Sequence, residues 1–374
     1  MQKGILRGLK MRRNIGNRLI LLFFIFLLFR EPQASGTPSF SQNFSILIEK
    51  VRLQAMEVLD VKEKINLLTV TNASFTRVGG EETLSILDPI YEQLGCSQGR
   101  GNLILLRSEP HHPHYLFFFN REKEKAAYFE INSKLRLENL ENKKQEEIFS
   151  RIIVTDLSRE ELFKNPMRWE KRSKEKIFGG NEVRLISVSF LWMEGLPQEV
   201  IKAAEIHDHI CPGLLSGYFI VKFVLEELPP REGMDYFIIG SPVWCKDDTV
   251  QSILDTTPGK RNFVVLPLTD KEKEHLKDKN AAGIFLQFDR KMGGGKGLVI
   301  GLDWDKFQGD AGVKREGFPW EWRLRLALYM ARHLKDYQKY VYVIKKFDME
   351  KGERPETYFS LGINPWKKIG LWIE

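Results

Sequence analysis

Glu205-Ile-His207-Asp-His209-Ile-Cys211-Pro212-Gly213 runs straight into Leu214-Leu-Ser-Gly-Tyr-Phe-Ile-Val-Lys-Phe-Val-Leu-Glu-Glu-Leu228, and Pro229-Pro230 closes the stretch. Pro212 suits the first position of a helix, where its missing N–H costs nothing. Cys211 is then the expected N-cap, and the proline pair is the expected stop. The span 211–228 is therefore predicted as a strongly apolar helix, and the fold is built around it.

Working outward, a second helix is expected over 196–205 and a third over 247–254. Strands are expected at 236–239, 263–268, 283–288 and 298–302, and an amphipathic helix over 320–337. Toward the N-terminus, Phe44, Ile48, Val51, Leu53, Met56 and Leu59 recur near the helical period within 37–62. Strands follow at 67–71, 102–106 and 115–119, with a helix over 81–94 that Gly95 stops. Residues 121–178 are rich in Lys, Glu and Arg and read as solvated helix faces or linkers, with a domain junction near 170–180. Helices and strands do not alternate regularly, so the expected class is α+β, with mixed sheet packed against helices.

The charge balance excludes one class of partner. Residues 1–36 carry seven cations (Lys3, Arg7, Lys10, Arg12, Arg13, Arg18 and Arg30) against Glu31, which is +6 of the chain's net +7. The remaining body is near neutral and has no global footprint for nucleic acid. The leader itself has the pattern of a signal peptide. A basic segment precedes Leu19–Phe29, an unbroken apolar run of 11, and Ala34-Ser35-Gly36 offers small residues for a cut before Thr37. Eleven residues rise only ~16 Å as a helix, against a hydrocarbon core of ~30 Å. The expectation is an exported chain, periplasmic or extracellular, with no stable membrane span after cleavage. Three cysteines, Cys96, Cys211 and Cys245, make no disulfide framework. In an oxidising compartment each needs burial, a metal or a partner.

His207, His209 and Cys211 alternate, and an extended segment would put all three on one face. Imidazole and thiolate together favour zinc, iron, nickel or copper over magnesium or calcium. A thiol at a helix N-cap is also easier to ionise. A second cluster follows, Trp244-Cys245-Lys-Asp-Asp248-Thr-Val-Gln251, in which Asp248 and Gln251 share a helix face. Beyond it Thr257-Pro-Gly259-Lys260-Arg-Asn262 is a tight turn with free amides and two cations, which suits an anion.

Taken together these motifs resemble the FmdE family, whose name comes from formylmethanofuran dehydrogenase. His-x-His-x-Cys-Pro-Gly is similar to that family's H-G-H-x-C-P-G. Cys245, Asp248, Gln251, Thr257, Gly259, Lys260 and Asn262 stand in the register of its second motif. Phe288-Asp-Arg290 is similar to its F-N-R hairpin. The resemblance covers about 200–305, with Asp208 in place of the usual Gly and Thr256 in place of a Cys. It implies an α+β core with a metal site held by His207, His209, Cys211 and Cys245. Cys211, Asp248 and Lys260 are the implied catalytic residues, and Thr257, Gly259 and Lys260 the implied cofactor-binding ones. Zinc is the expected metal, and haem or another metallocofactor is the alternative. The zinc finger that some members append is absent, because no Cys lies beyond Cys245.

The first half echoes the second. Asp88 precedes Gly99 by the same 11 residues that separate Asp248 from Gly259, with Arg100 for Lys260, Asn102 for Asn262 and Ser85 for Cys245. Phe119-Asn-Arg121 stands against Phe288-Asp-Arg290. The expected organisation is a signal peptide over 1–36, a degenerate FmdE-like domain over 37–175, and over 176–374 a second such domain carrying the site and a C-terminal extension. The halves are expected to pack as a pseudo-twofold pair that mimics a homodimer, and a homodimer of whole chains is compatible as well. The leading expectation for function is an exported protein that binds a transition metal or small metallocofactor. A metal-dependent enzyme is one alternative, and a thiol redox protein using Cys211 and Cys245 is another. His111, His112 and His114 read as loop histidines.

Overall fold

The computed structural model describes residues 40–374, so the leader lies outside the described part. Helix α1 (Phe40–Leu59) is followed by β1 (Leu67–Thr71), the small hairpin β2 (Arg77–Val78) and β3 (Glu81–Glu82), and helix α2 (Leu87–Leu94). Strands β4 (Leu103–Leu105), β5 (Tyr115–Asn120), β6 (Lys125–Ile131) and β7 (Phe149–Asp156) complete the first sheet. A short helix at Arg159–Lys164 leads into four longer ones: α3 (Pro166–Lys174), α4 (Glu182–Met193), α5 (Gln198–His207) and α6 (Pro212–Glu227). The second sheet comes from β8 (Met234–Gly240), β9 (Phe263–Val265), β10 (Ala281–Asp289), β11 (Gly295–Leu302) and β12 (Val341–Met349). Helix α7 (Lys246–Ile253) joins β8 to β9, and α8 (Trp304–Ala311) and α9 (Pro319–Arg332) join β11 to β12.

The two sheets share one plan. The first runs β4-β1-β5-β6-β7 and the second, read in the same sense, β9-β8-β10-β11-β12. In each, the first pair is parallel, joined through a helix, and every other pair is antiparallel. The α+β reading therefore holds, as mixed sheets packed with helices. Each sheet is covered on both faces. Phe44, Ile48 and Val51 of α1 pack on Leu67, Leu116 and Phe118. The opposite face of that sheet, Leu68, Val70 and Phe117, belongs to a central cluster with α4, α5, α6 and α9. The same cluster takes in Ile238, Phe285 and Leu298 of the second sheet. The outer face of the second sheet, Phe237, Ile239 and Leu286, is closed by Tyr358, Trp366 and Ile369 of the C-terminal segment.

Those faces correct the expected pseudo-twofold. Thr69 N donates to Asn102 O and Ile238 N to Asn262 O, which makes Leu68 and Val70 the ladder counterparts of Phe237 and Ile239. A twofold brings like faces together. Here Leu68 and Val70 look into the middle of the molecule while Phe237 and Ile239 look away from it. The halves are stacked head to tail.

The span 121–178 also differs from expectation. It contains β6 and β7, and Trp169 and Phe178 are buried in the central cluster. Strand β7 is a sheet edge with a mostly half-exposed face, where charge is the usual protection against pairing with another chain.

Candidate metal centre

Helix α5 ends at His207, and the chain reverses at Asp208, which is left-handed (φ 70°). This is the cap position where glycine is preferred and Asp or Asn is tolerated. The segment is thus a helix end, a left-handed residue and an N-cap, not the extended run that alternation suggested. As a result His209 stays outside the group of converging donors, although its ring lies 4.5 Å from that of His207. Its Nδ1 donates to Asp208 Oδ1 at 2.8 Å, and Asp208 Oδ2 pairs with Arg184 at 3.0 Å.

Cys211 caps α6 as expected, its Sγ accepting from Leu214 N at 3.3 Å. Cys245 stands at the start of α7, and two glycines of α6 let the helices meet. A Cβ on Gly213 would lie 2.9 Å from Cys245 Cβ, and a Cβ on Gly217 would lie 2.5 Å from Lys246 O. This close approach is the physical need for glycine in Cys-Pro-Gly. It brings His207, Cys211 and Cys245 together, with one donor atom from each within 4.8 Å of the others. The Cys211 Sγ···His207 Nε2 separation is 3.7 Å.

Asp248 stands behind this trio. Its Oδ2 accepts from His207 Nδ1 at 2.6 Å, and its Oδ1 accepts from Gln251 Nε2 at 2.9 Å. A carboxylate only accepts, so Nδ1 carries the proton and Nε2 faces the sulfurs. Asp248 is therefore a positioning residue for His207. Burial works against an imidazolium at His207, but the Asp248 hydrogen bond and the Cys245 sulfur outweigh it and hold its pKa up at about 9. Cys245 is pushed down to about 4, chiefly by the hydrogen bond from Cys211 and, against burial, by His207. Cys211 is pushed up by its hydrogen bond to Cys245 and by burial.

The sequence reading passed over Lys246 and Asp247. Both are buried; Lys246 Nζ contacts both carboxylate oxygens of Asp247 at 2.7 Å and the carbonyl of Pro242 at 3.0 Å, and lies 4.1 Å from the Trp244 ring centre. Asp247 Oδ2 in turn accepts from Trp244 N at 3.1 Å. This pair locks the turn that presents Cys245. Only a charged pair next to an aromatic residue marked it in the sequence.

Cys211, Cys245 and His209 line a cavity of about 360 Å³ whose walls include Trp169, Trp244, Trp304, Trp320 and Trp322. Asp248, Thr257, Gly259 and Lys260 are not among its lining residues. Thr257, Gly259 and Lys260 lie in a turn whose amides are largely satisfied from within. Lys260 N donates to Thr257 Oγ1 at 3.3 Å and Thr257 N to Asn262 Oδ1 at 2.8 Å, while the Lys260 ammonium pairs with exposed Asp255. The first half builds the same turn, with Ser97 Oγ on Arg100 N at 3.2 Å and Asn102 Oδ1 on Ser97 N at 3.0 Å. The turn thus has a structural task common to both halves.

The remaining candidates lie elsewhere. Cys96 is buried in the first half, its thiol pushed up to about 11 by burial. All three cysteines are free. Glu109, His111 and His112 form an exposed group. His114 is buried and hydrogen-bonded to Thr76.

Residues 206–313 match the family model FmdE, described as "FmdE, Molybdenum formylmethanofuran dehydrogenase operon". The matched FmdE segment runs from Ile206 at the end of α5 through the whole of α6, α7 and α8, and so contains all three converging donors. No curated protein matches the chain.

Proposed function

We propose that this is an exported protein that holds one transition-metal ion, zinc in the first instance, on His207, Cys211 and Cys245. One observation carries the reading, the convergence of one imidazole nitrogen and two sulfurs from three helix ends. The donor set fits the ion. Zn–S of ~2.3 Å and Zn–N of ~2.0–2.1 Å at a tetrahedral angle put ligand atoms ~3.5 Å apart, against 3.7 Å between Cys211 Sγ and His207 Nε2. Asp248 supplies the carboxylate that orients a metal-bound imidazole. Three donors meeting at one point favour an ion over haem, whose iron takes axial ligands on opposite faces. When bound, the ion supplies Lewis acidity to whatever enters the cavity.

The cavity favours a binding role over a closed polar reaction chamber. Its walls are mostly apolar, five tryptophans among them, and Asp248 and Lys260 lie outside it. The test is elemental analysis of protein purified from its own export compartment, beside variants. We expect about one metal ion per chain, lost in His207→Ala, Cys211→Ser and Cys245→Ser. Retention of that metal by all three variants would refute the site. A mature N-terminus at Thr37, read by mass spectrometry, would support export.

The thiol redox reading is favoured by one observation, the pairing of a depressed Cys245 with a raised Cys211, both free. A disulfide between them that forms reversibly in metal-free protein would support it.

The first half is read as a second copy that has lost the donors. The shared strand order and the matched turns at Ser97 and Thr257 support this reading. The echo of Phe119 and Phe288 does not fall in register. Leu68 pairs with Phe119, and its counterpart Phe237 pairs with Leu286, so the two phenylalanines are two residues out of step.

A further inference from the structure

We propose that the indole-walled cavity takes a flat aromatic carboxylate, its ring among the tryptophans and its carboxylate on Arg315 and Arg323. The inference rests on the metal reading only for what the inner end of the ligand would meet. The basic side chains in the lining other than His209 are the two arginines, and no Asp or Glu is among the lining residues. Both guanidiniums sit against one ring, Arg315 at 5.7 Å and Arg323 at 5.2 Å from the centre of Trp322. Cation–π contact holds them at the rim. Arg315 Nε donates to Gln308 Oε1 at 3.0 Å. Among the described residues neither arginine forms an ion pair with a carboxylate.

The walls set the shape of the guest. Trp244 and Trp304 lie 6.4 Å apart, tilted at 60°, and Trp320 is backed by Phe318 in parallel at 6.4 Å. Trp244 and Trp320 are fixed by their own N–H groups, on Ser216 Oγ and Glu170 Oε2, each at 3.1 Å. Rigid indoles select flat apolar bodies at small entropic cost. Trp169 completes the wall as a buried indole. A cavity of about 360 Å³ lies in the range of small-molecule sites, ~300–1,000 Å³. The cation pair at the mouth and the apolar walls together argue against a sugar, a polyphosphate or a neutral lipid.

The test is calorimetric titration of the full mature chain with 2-naphthoate, in zinc-loaded and metal-free form. One-to-one binding is expected in both forms, because arginines and indoles do the recognition. Methyl 2-naphthoate, which lacks the charge, and cyclohexanecarboxylate, which lacks the ring, should each bind about tenfold more weakly or worse. The double variant Arg315→Gln/Arg323→Gln alters exposed side chains only. It should lose about tenfold for naphthoate and nothing for the ester. His207 lies outside the lining, so His207→Ala should lose metal and keep naphthoate, which separates this inference from the metal reading. No binding of naphthoate to metal-free protein, equal binding of acid and ester, or an unchanged double variant would each overturn it.

Discussion

Asp248 sits behind His207, so its removal should leave the donors in place and loosen their aim. Asp248→Asn keeps the shape but not the charge. It is expected to weaken metal affinity about 10–100-fold without abolishing stoichiometric loading at excess metal, as competition with a chromophoric chelator would show. His209→Ala is expected to keep the metal, because its Nδ1 is engaged by Asp208 and it stands outside the converging trio. His114 gives a prediction in pH. Burial pushes its pKa down to about 3, below the ~6.5 of an unfolded chain. A depressed folded value means the stability is fully present above 6.5 and is lost as pH falls toward 3, at up to ~1.4 kcal/mol per unit. Urea unfolding between pH 7 and 4.5 should show that slope, and His114→Gln should flatten it. An equal slope in the variant would remove His114 as its source.

At the scale of elements, the contact between α6 and α7 decides whether the sulfurs meet. Gly217→Ala puts a Cβ 2.5 Å from Lys246 O, so the helices must part. The expected cost is ~1–3 kcal/mol together with a loss of metal affinity, measured by thermal unfolding and by metal titration on the same sample. Gly309→Ala in α8 meets nothing within 4 Å, so it should be neutral or stabilising by up to ~1 kcal/mol. Much of this level was legible in the sequence. The helix at 212–227 announced itself through Pro212 and the closing prolines, and the donors through their motif. The turn at Asp208 was not legible, because alternation describes an extended chain and a left-handed residue between two helices breaks the period. Strands β7 and β12 were missed for one shared reason. Each is a sheet edge on which charged residues such as Arg151, Lys345 and Lys346 erase the apolar alternation that marks a strand. The cavity was invisible too, since its tryptophans come from 169, 244, 304, 320 and 322, and no local pattern links them.

For the whole molecule, one cluster of buried side chains runs from Leu68 in the first sheet through α4, α5, α6 and α9 to Ile300 in the second. The halves are thus expected to unfold together, in a single calorimetric transition with matching van't Hoff and calorimetric enthalpies. Two resolved transitions would show that the stacking contributes little. The same stack explains why the site lies where it does. The donors come from helix ends in the middle layer, held between two sheets, so their convergence depends on the entire fold. X-ray absorption at the zinc edge of the zinc-loaded protein tests this most directly. Two sulfur scatterers at ~2.3 Å and one imidazole nitrogen at ~2.0–2.1 Å are expected, with one sulfur lost in Cys245→Ser. A shell of oxygen and nitrogen alone, unchanged by that substitution, would contradict it.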